Sequence, residues 1–265
     1  MLDRQSEISV PTSPAINDDK NNRKVAHGVT AEPTKMRMES SNAEALNDSS
    51  VQGWVPLINS DNSSLKPIAG FSAALKRLED FLLGSIALVL LFPLMALISI
   101  IIKLDSTGPA LFCQARNGRN GEIIKVYKFR TMFQNGPAEF KQARKNDPRV
   151  TRVGVFLRKT SLDELPQLFN VIQGSMSMVG PRPHPLKLDE DFQYVIPSLH
   201  TRYCVKPGIT GWAQVNGFRG ETRRVSDMVA RIEHDRHYVK NWSILFDLKI
   251  LVVTVFKGWM HKNAY

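Results

Sequence analysis

The stretch FLLGSIALVLLFPLMALISIII, Phe81 to Ile102, runs 22 residues without a charged side chain and is closed by charge at both ends, Asp80 and Lys103. As a straight helix it would reach roughly 33 Å, which matches a bilayer core of about 30 Å. Pro93 sits close to its midpoint, where a proline removes a backbone donor and crowds the preceding turn. Two short halves meeting at such a bend would enter and leave the same leaflet as a re-entrant hairpin. A kinked spanning helix is the alternative, because prolines are tolerated where neighbouring groups re-satisfy the backbone. Orientation follows the Lys/Arg excess near each end. Here Lys66, Lys76 and Arg77 precede the stretch and Lys103, Arg116 and Arg119 follow it, a balance that favours both ends on one side. A buried helix of a soluble core is the plainest competitor, and the length argues against it.

Toward the N-terminus, residues 1 to 70 are rich in Asn, Ser, Asp and Pro, a composition that cannot bury enough apolar surface to offset chain entropy. They read as a disordered polar tail or a partner-binding segment. No secretory signal is visible, since the first 30 residues lack an apolar core. The formal net charge is +10, yet the tail holds 7 Lys+Arg against 9 Asp+Glu, so the positive excess lies beyond it. Such a balance suits nucleic acid, an anionic membrane or a phosphate-rich substrate. Nucleic-acid binding would leave the long apolar run unexplained. Cys113 and Cys204 stand far apart without metal-ligand spacing, which favours a reducing, cytosolic setting. The oligomeric state stays open, a homo-oligomer included.

Toward the C-terminus, short apolar or alternating runs (Ala110 to Gln114, Ile123 to Lys128, Ser175 to Val179, Trp212 to Val215) alternate with helical patterns, as in an α/β (α+β) domain over residues 105 to 265. One helix places Leu162, Leu165, Leu168, Phe169 and Ile172 on one face, with Gly174 as its stop. A second runs from Val225 to Val239. A third, Ile244 to Met260, is bracketed by Trp242 and Trp259 and carries Asp247, Lys249 and Lys257. It reads as an amphipathic helix in the membrane interface or as an ordinary buried helix.

Ser161-Leu162-Asp163-Glu164 opens the first of these helices. Ser-x-x-Glu is the capping-box spacing, which explains Ser161 and Glu164 structurally but does not call for Asp163. A helix start would hold both carboxylates ionised, suiting a nucleophile or a metal ligand. Arg182 lies between two prolines that restrict its backbone, an arrangement fit to grip a phosphate at low entropic cost. Lys128 and Arg130 end a strand, and Arg149, Arg152 and Arg158 precede the acidic pair. Each alone is an ordinary surface charge; together they describe a pocket for a pyrophosphate and a divalent ion.

Taken in order, Gly108-Pro109-Ala110-Leu111-Phe112, Lys128-Phe129-Arg130-Thr131-Met132, Asp147-Pro148-Arg149-Val150-Thr151, Ser161 to Leu168, Gly180-Pro181-Arg182-Pro183 and Pro207-Gly208-Ile209-Thr210-Gly211-Trp212 resemble the bacterial sugar transferase family, the monotopic polyprenyl-phosphate phosphoglycosyl transferases. The resemblance covers Lys76 to Tyr265. It implies a re-entrant membrane helix over residues 71 to 104, turned at Pro93, with the catalytic part on the cytoplasmic face of the bacterial inner membrane. It implies that Asp163 attacks the sugar-bearing phosphate of a UDP-sugar, that UMP leaves, and that undecaprenyl phosphate then takes the phosphosugar. Glu164 would hold Mg2+, while Lys128, Arg158 and Arg182, with Arg130 and Arg149 close by, would neutralise phosphate oxygens. The run Gly211 to Thr222 and the ending Phe256-Lys257-Gly258-Trp259 look most like members that load glucose 1-phosphate for exopolysaccharide assembly, with UDP-galactose the next candidate. Larger members carry four membrane helices and a further domain ahead of this core, where this sequence has the polar tail. A non-catalytic membrane adaptor of polysaccharide assembly is the competing class.

Overall fold

The computed structural model describes residues 65, 68–133, 147–220 and 225–258. Almost all of the tail, and with it Glu221, Thr222, Trp259 and Met260, lies outside the described residues.

The apolar stretch lies within helix α1, Gly70–Asp105, a single element of 36 residues with Pro93 inside it. The expected parting into two short helices is not seen in the secondary structure. A proline removes one backbone donor, and the helix carries on past that loss. Lys76, Asp80, Gly84, Met95, Ile98 and Ile102 form its buried face at helical spacing. Its other side exposes Leu82, Ile86, Val89, Leu90, Phe92, Leu97 and Ile100. Only 17% of its most apolar window is buried, which is the opposite of a soluble core helix and is compatible with a membrane anchor. Both ends of α1 rest on the same folded body. Near the start, Arg77 donates to the carbonyls of Val171 (2.6 Å) and Ile172 (2.5 Å). At the end, Arg130 donates to the carbonyls of Ser106 and Thr107, each at 2.6 Å.

The body is α+β, with two small sheets among helices. Strands β1 (Leu111–Asn117) and β2 (Ile123–Phe129) pair antiparallel, Leu111 opposite Phe129. Helix α2, Arg152–Thr160, is capped by Thr151, whose side chain accepts from the Gly154 N–H at 2.9 Å. Helix α3, Gln167–Gln173, ends at Gly174 with φ 87°, as the glycine predicted. Buried Asn170 ties α3 to the edge of β2: its amide donates to the Lys125 carbonyl (2.7 Å) and its carbonyl accepts from the Tyr127 N–H (3.0 Å). Strand β3 (Ser177–Val179) pairs parallel with β4 (Gly208–Thr210). Helix α4 (Leu186–Phe192), a 3-10 stretch (Pro197–Cys204), α5 (Trp212–Val215), α6 (Val225–Lys240) and α7 (Ile244–Gly258) complete the body.

The runs at Ala110, Ile123 and Ser175 do form strands, but Trp212 to Val215 is one helical turn and the strand lies just before it. Glycine explains the choice. A Cβ at Gly208 would stand 2.1 Å from the Gly180 backbone nitrogen, so the two chains can approach closely only with glycine there. Trp212 is needed instead as a packing ring, 5.0 Å from Phe246. The stripe of α6 is as expected: Met228, Val229 and Ile232 pack with Leu188, Ile196 and Leu199. Helix α7 divides in two, burying Asp247 and Ile250 and exposing Leu245, Val252, Val255 and Phe256.

Because the Gly180–Gly208 contact is backbone on backbone, Gly208→Ala is expected to destabilise the fold by about 1–3 kcal/mol, the usual cost of overpacking. Chemical unfolding of the detergent-solubilised protein checks this.

Candidate active site

Helix α2 stops because Ser161 turns left-handed, φ 61°, with its N–H bonded to the Arg158 carbonyl. Leu162–Glu164 then makes a single 3-10 turn, and Pro166 stands just ahead of α3, where its missing N–H costs nothing. The capping box expected from Ser-x-x-Glu is absent. Ser161 belongs to the end of α2, and its hydroxyl accepts from Arg219 Nη2 at 2.6 Å. The buried Glu164 carboxylate turns to stronger partners than a backbone amide. Arg182 grips it with both Nη groups, Nη1 at 2.9 Å from Oε2 and Nη2 on Oε1, and Lys128 Nζ lies 3.3 Å from Oε1.

The two neighbouring acids are thereby driven apart. Burial alone would push Glu164 up, but Arg182 and Lys128 hold it well below the usual carboxylate range. Asp163 moves the other way, to about 6, through its own desolvation and then the negative charge of Glu164, against the pull of Lys128, Arg182 and Arg158. A helix start favours the ionised form of both acids, and here only Glu164 is so favoured. The turn leaves Asp163 a more basic carboxylate, still ionised at neutral pH.

Among the predicted site residues, Lys128, Arg158, Asp163, Glu164 and Arg182 come together. Arg130 does not join them; its buried guanidinium is spent on the end of α1. Arg149 binds Asp147 within its own motif, Nε to Oδ1 at 2.9 Å and Nη2 to Oδ2 at 2.6 Å. Two arginines join that sequence reasoning did not assign to the site. Arg116 reaches the Pro183 carbonyl (3.2 Å) beside Arg182, and burial followed by the Arg182 charge pulls it down to about 10. Arg219 approaches from a loop flanked by Gly217 (φ 94°) and Gly220 (φ 103°). An arginine held between two such glycines was the signal available for it.

A crevice of about 250 Å³ opens beside the pair. Glu164, Ser161, Arg219 and Gln214 are among its polar lining, and Leu165, Leu168, Met178 and Ile209 line it with Ala87 and Leu91 of α1. A roomier cavity, about 620 Å³ among Asn117, Asp189 and Tyr203, has no Lys or Arg in its lining and does not suit phosphate. As for a metal, no three His, Cys, Asp or Glu cluster among the described residues. Mg2+ commonly needs only one or two carboxylates beside substrate phosphates and waters. Glu164 accepts three N–H contacts out of about four acceptor positions, so it has room for one ion, and the donor set fits.

A long, mostly exposed apolar helix leading to a carboxylate pair among cations is the arrangement that the comparisons with known proteins place. The family profile for bacterial sugar transferases matches residues 71–261, and this chain belongs to that family. It is 50% identical over 200 residues to the UDP-glucose:undecaprenyl-phosphate glucose-1-phosphate transferase of Escherichia coli K12, covering 75% of this chain and 43% of the relative. It is 45% identical over 186 residues to the exopolysaccharide production protein PSS of Rhizobium leguminosarum, covering 68% and 93%. The UDP-N-acetylgalactosamine-undecaprenyl-phosphate N-acetylgalactosaminephosphotransferase of Aeromonas hydrophila is 44% identical over 184 residues, covering 69% and 43%. The chain thus spans less than half the length of several curated relatives it matches.

Removing the Arg182 clamp should raise the Glu164 pKa. An ionised Glu164 with a depressed pKa adds stability above its unfolded pKa, lost as pH falls through the folded value. Arg182→Met is therefore expected to lower the melting temperature clearly at pH 7, and the gap to the parent should narrow toward pH 4. Thermal unfolding at both values checks the sign.

Proposed function

We propose that this chain moves a hexose 1-phosphate, glucose 1-phosphate by preference, from a UDP-sugar to undecaprenyl phosphate. The observation that supports this most is Asp163 itself: a carboxylate of raised basicity among Lys128, Arg158 and Arg182, beside a clamped Glu164 that lines a crevice walled in part by α1. Asp163 attacks the sugar-bearing phosphorus of the UDP-sugar. The bond from that phosphorus to the bridging oxygen breaks, and UMP leaves with the electron pair. Undecaprenyl phosphate then attacks the same phosphorus, and the bond to Asp163 breaks, restoring the carboxylate. Two easier displacements replace one difficult transfer. Neither needs a general base, since both attacking oxygens are already anionic.

Arg182, Lys128 and Arg158 neutralise the phosphate oxygens and hold them in line. Glu164 and the substrate phosphates would hold Mg2+, which supplies further charge neutralisation at the reacting phosphoryl group. The apolar crevice gives the prenyl chain a path from α1 to the acids.

Membrane attachment at the cytoplasmic face of the inner membrane belongs to the same reading, with α1 entering and leaving one leaflet around Pro93. Support comes from the uncovered apolar side of α1 and from the contacts at both its ends with one body. The exposed residues of α7, with Val155 and Phe156 of α2, would lie in the interface. The transfer would be the first step in building an exopolysaccharide repeat unit. N-acetylgalactosamine 1-phosphate is a second cargo, on the strength of the Aeromonas relative's name.

A panel of UDP-sugars assayed for UMP release with undecaprenyl phosphate and Mg2+ tests the reading, with UDP-glucose expected to be the best donor. Asp163→Asn should lower UMP release at least about a thousandfold and remove the phosphosugar mass from the peptide carrying residue 163. Unchanged release by that variant would sink the proposal. Since Asp163 must be ionised to attack, kcat/KM for the UDP-sugar should fall as pH drops through about 6, read from a pH–rate profile.

A further inference from the structure

Behind the acidic pair lies a second set of ionisable groups that makes no contact with Asp163 or Glu164. Arg202, on the Pro197–Cys204 stretch, is almost wholly buried, and its Nη2 lies 2.9 Å from Asp235 of α6. That same Nη2 donates to the backbone carbonyl of Arg182. Its Nη1 meets the ring of buried His184, 2.9 Å from Nε2. His184 Nδ1 faces Asp189 Oδ1 at 2.8 Å. The same Arg202 Nη1 also meets Nδ1, so the guanidinium lies against both ring nitrogens. A charged imidazole would have no acceptor and would add a third cation beside two arginines. Desolvation and the Arg202 charge indeed press His184 down to about 3, so it is neutral.

The second of those arginines, Arg231 of α6, places Nη1 3.3 Å from His184 Nε2 and donates from Nη2 to the Gly220 carbonyl at 3.1 Å. One buried hub therefore reaches two segments that carry site cations: the Gly180–His184 strap with Arg182, and the Gly217–Gly220 loop with Arg219. An arginine offers several donors in a rigid fork, so one side chain can fix several acceptors at once. Asp235 Oδ2 and Arg231 Nε make no hydrogen bond, so the fixing falls on the bonds from the two guanidiniums to the Arg182 and Gly220 carbonyls.

We propose that Arg202, with His184, Arg231 and Asp235, is a positioning residue for the transfer, fixing the backbones from which Arg182 and Arg219 reach the substrate phosphates. This rests on the reading given above. The hub touches no substrate in that reading. Its effect is on where two guanidiniums stand before the UDP-sugar arrives, which lowers the ordering cost of binding.

The test uses the full chain in nanodiscs. Arg202→Met/Asp235→Leu removes both charges at similar volume and loses the bond to the Arg182 carbonyl, and thermal unfolding checks that the variant folds. The expected result is a KM for UDP-glucose raised about tenfold with the KM for undecaprenyl phosphate unchanged, a split that a smaller active fraction cannot produce. The Nε–Hε resonance of Arg182, assigned through Arg182→Lys, should turn from ordered to mobile. If the double variant does not fold, Arg202→Lys decides: lysine still pairs with Asp235 but lacks the fork for the Arg182 carbonyl, so the same KM rise and the same mobility are expected. An unchanged KM for UDP-glucose together with an ordered Arg182 overturns the proposal. If the parent releases no UMP from any UDP-sugar, the transfer reading fails instead, and the Arg182 resonance alone decides whether the hub orders it.

Discussion

The site depends on one contact, the two-pronged grip of Arg182 on Glu164. A carboxylate buried without a partner costs several kcal/mol and would simply take up a proton. With the guanidinium in place Glu164 remains an anion, and its charge then acts on Asp163 one residue away. That fixed negative neighbour, added to desolvation, makes Asp163 more basic than a surface aspartate. Lys128 and Arg158 limit the effect, so the carboxylate is neither trapped as an acid nor made inert. The short turn between α2 and α3 is what sets the two acids side by side, and it exists because Ser161 accepts a left-handed backbone and Pro166 needs no donor.

Much of the body was legible from residue patterns. The helical stripes through Leu168 and Met228, the stop at Gly174 and the β1–β2 pair all follow from periodicity and glycine, signals that local sequence carries directly. The misreadings share a cause, which is that tertiary partners outbid local ones. Ser161 and Glu164 have the spacing of a cap, but each found a guanidinium from far along the chain. Arg130 has the look of a phosphate ligand, yet the open carbonyls at the end of α1 took it. Trp212 to Val215 alternates like a strand, whereas the glycine that allows close strand pairing is at Gly208. Arg116 could not be assigned to the site because nothing in its neighbourhood says which distant group it faces, and the glycines around Arg219 mark a tight loop without naming the carboxylate it approaches.

The anchor is joined to the body by charge as well as by packing. Lys76 lies 3.0 Å from Asp80 and 2.6 Å from Asp247 of α7. Asp80 also accepts from Ser177 Oγ and from the Met178 N–H, both at 2.9 Å. Tyr238 and Trp242 donate to the two oxygens of Asp247. A buried cluster of charges like this does not slide or swing cheaply, and it ties α1 to β3 and α7.

Ala87 and Leu91 carry this further, since they line the same crevice as Glu164. The long apolar helix is thus also a wall of the candidate site's crevice. Cutting it away to obtain a freely soluble fragment would open the crevice on that side, and exchanging it for an unrelated greasy helix would reshape it. Its individual residues, not only its overall greasiness, then shape the candidate site.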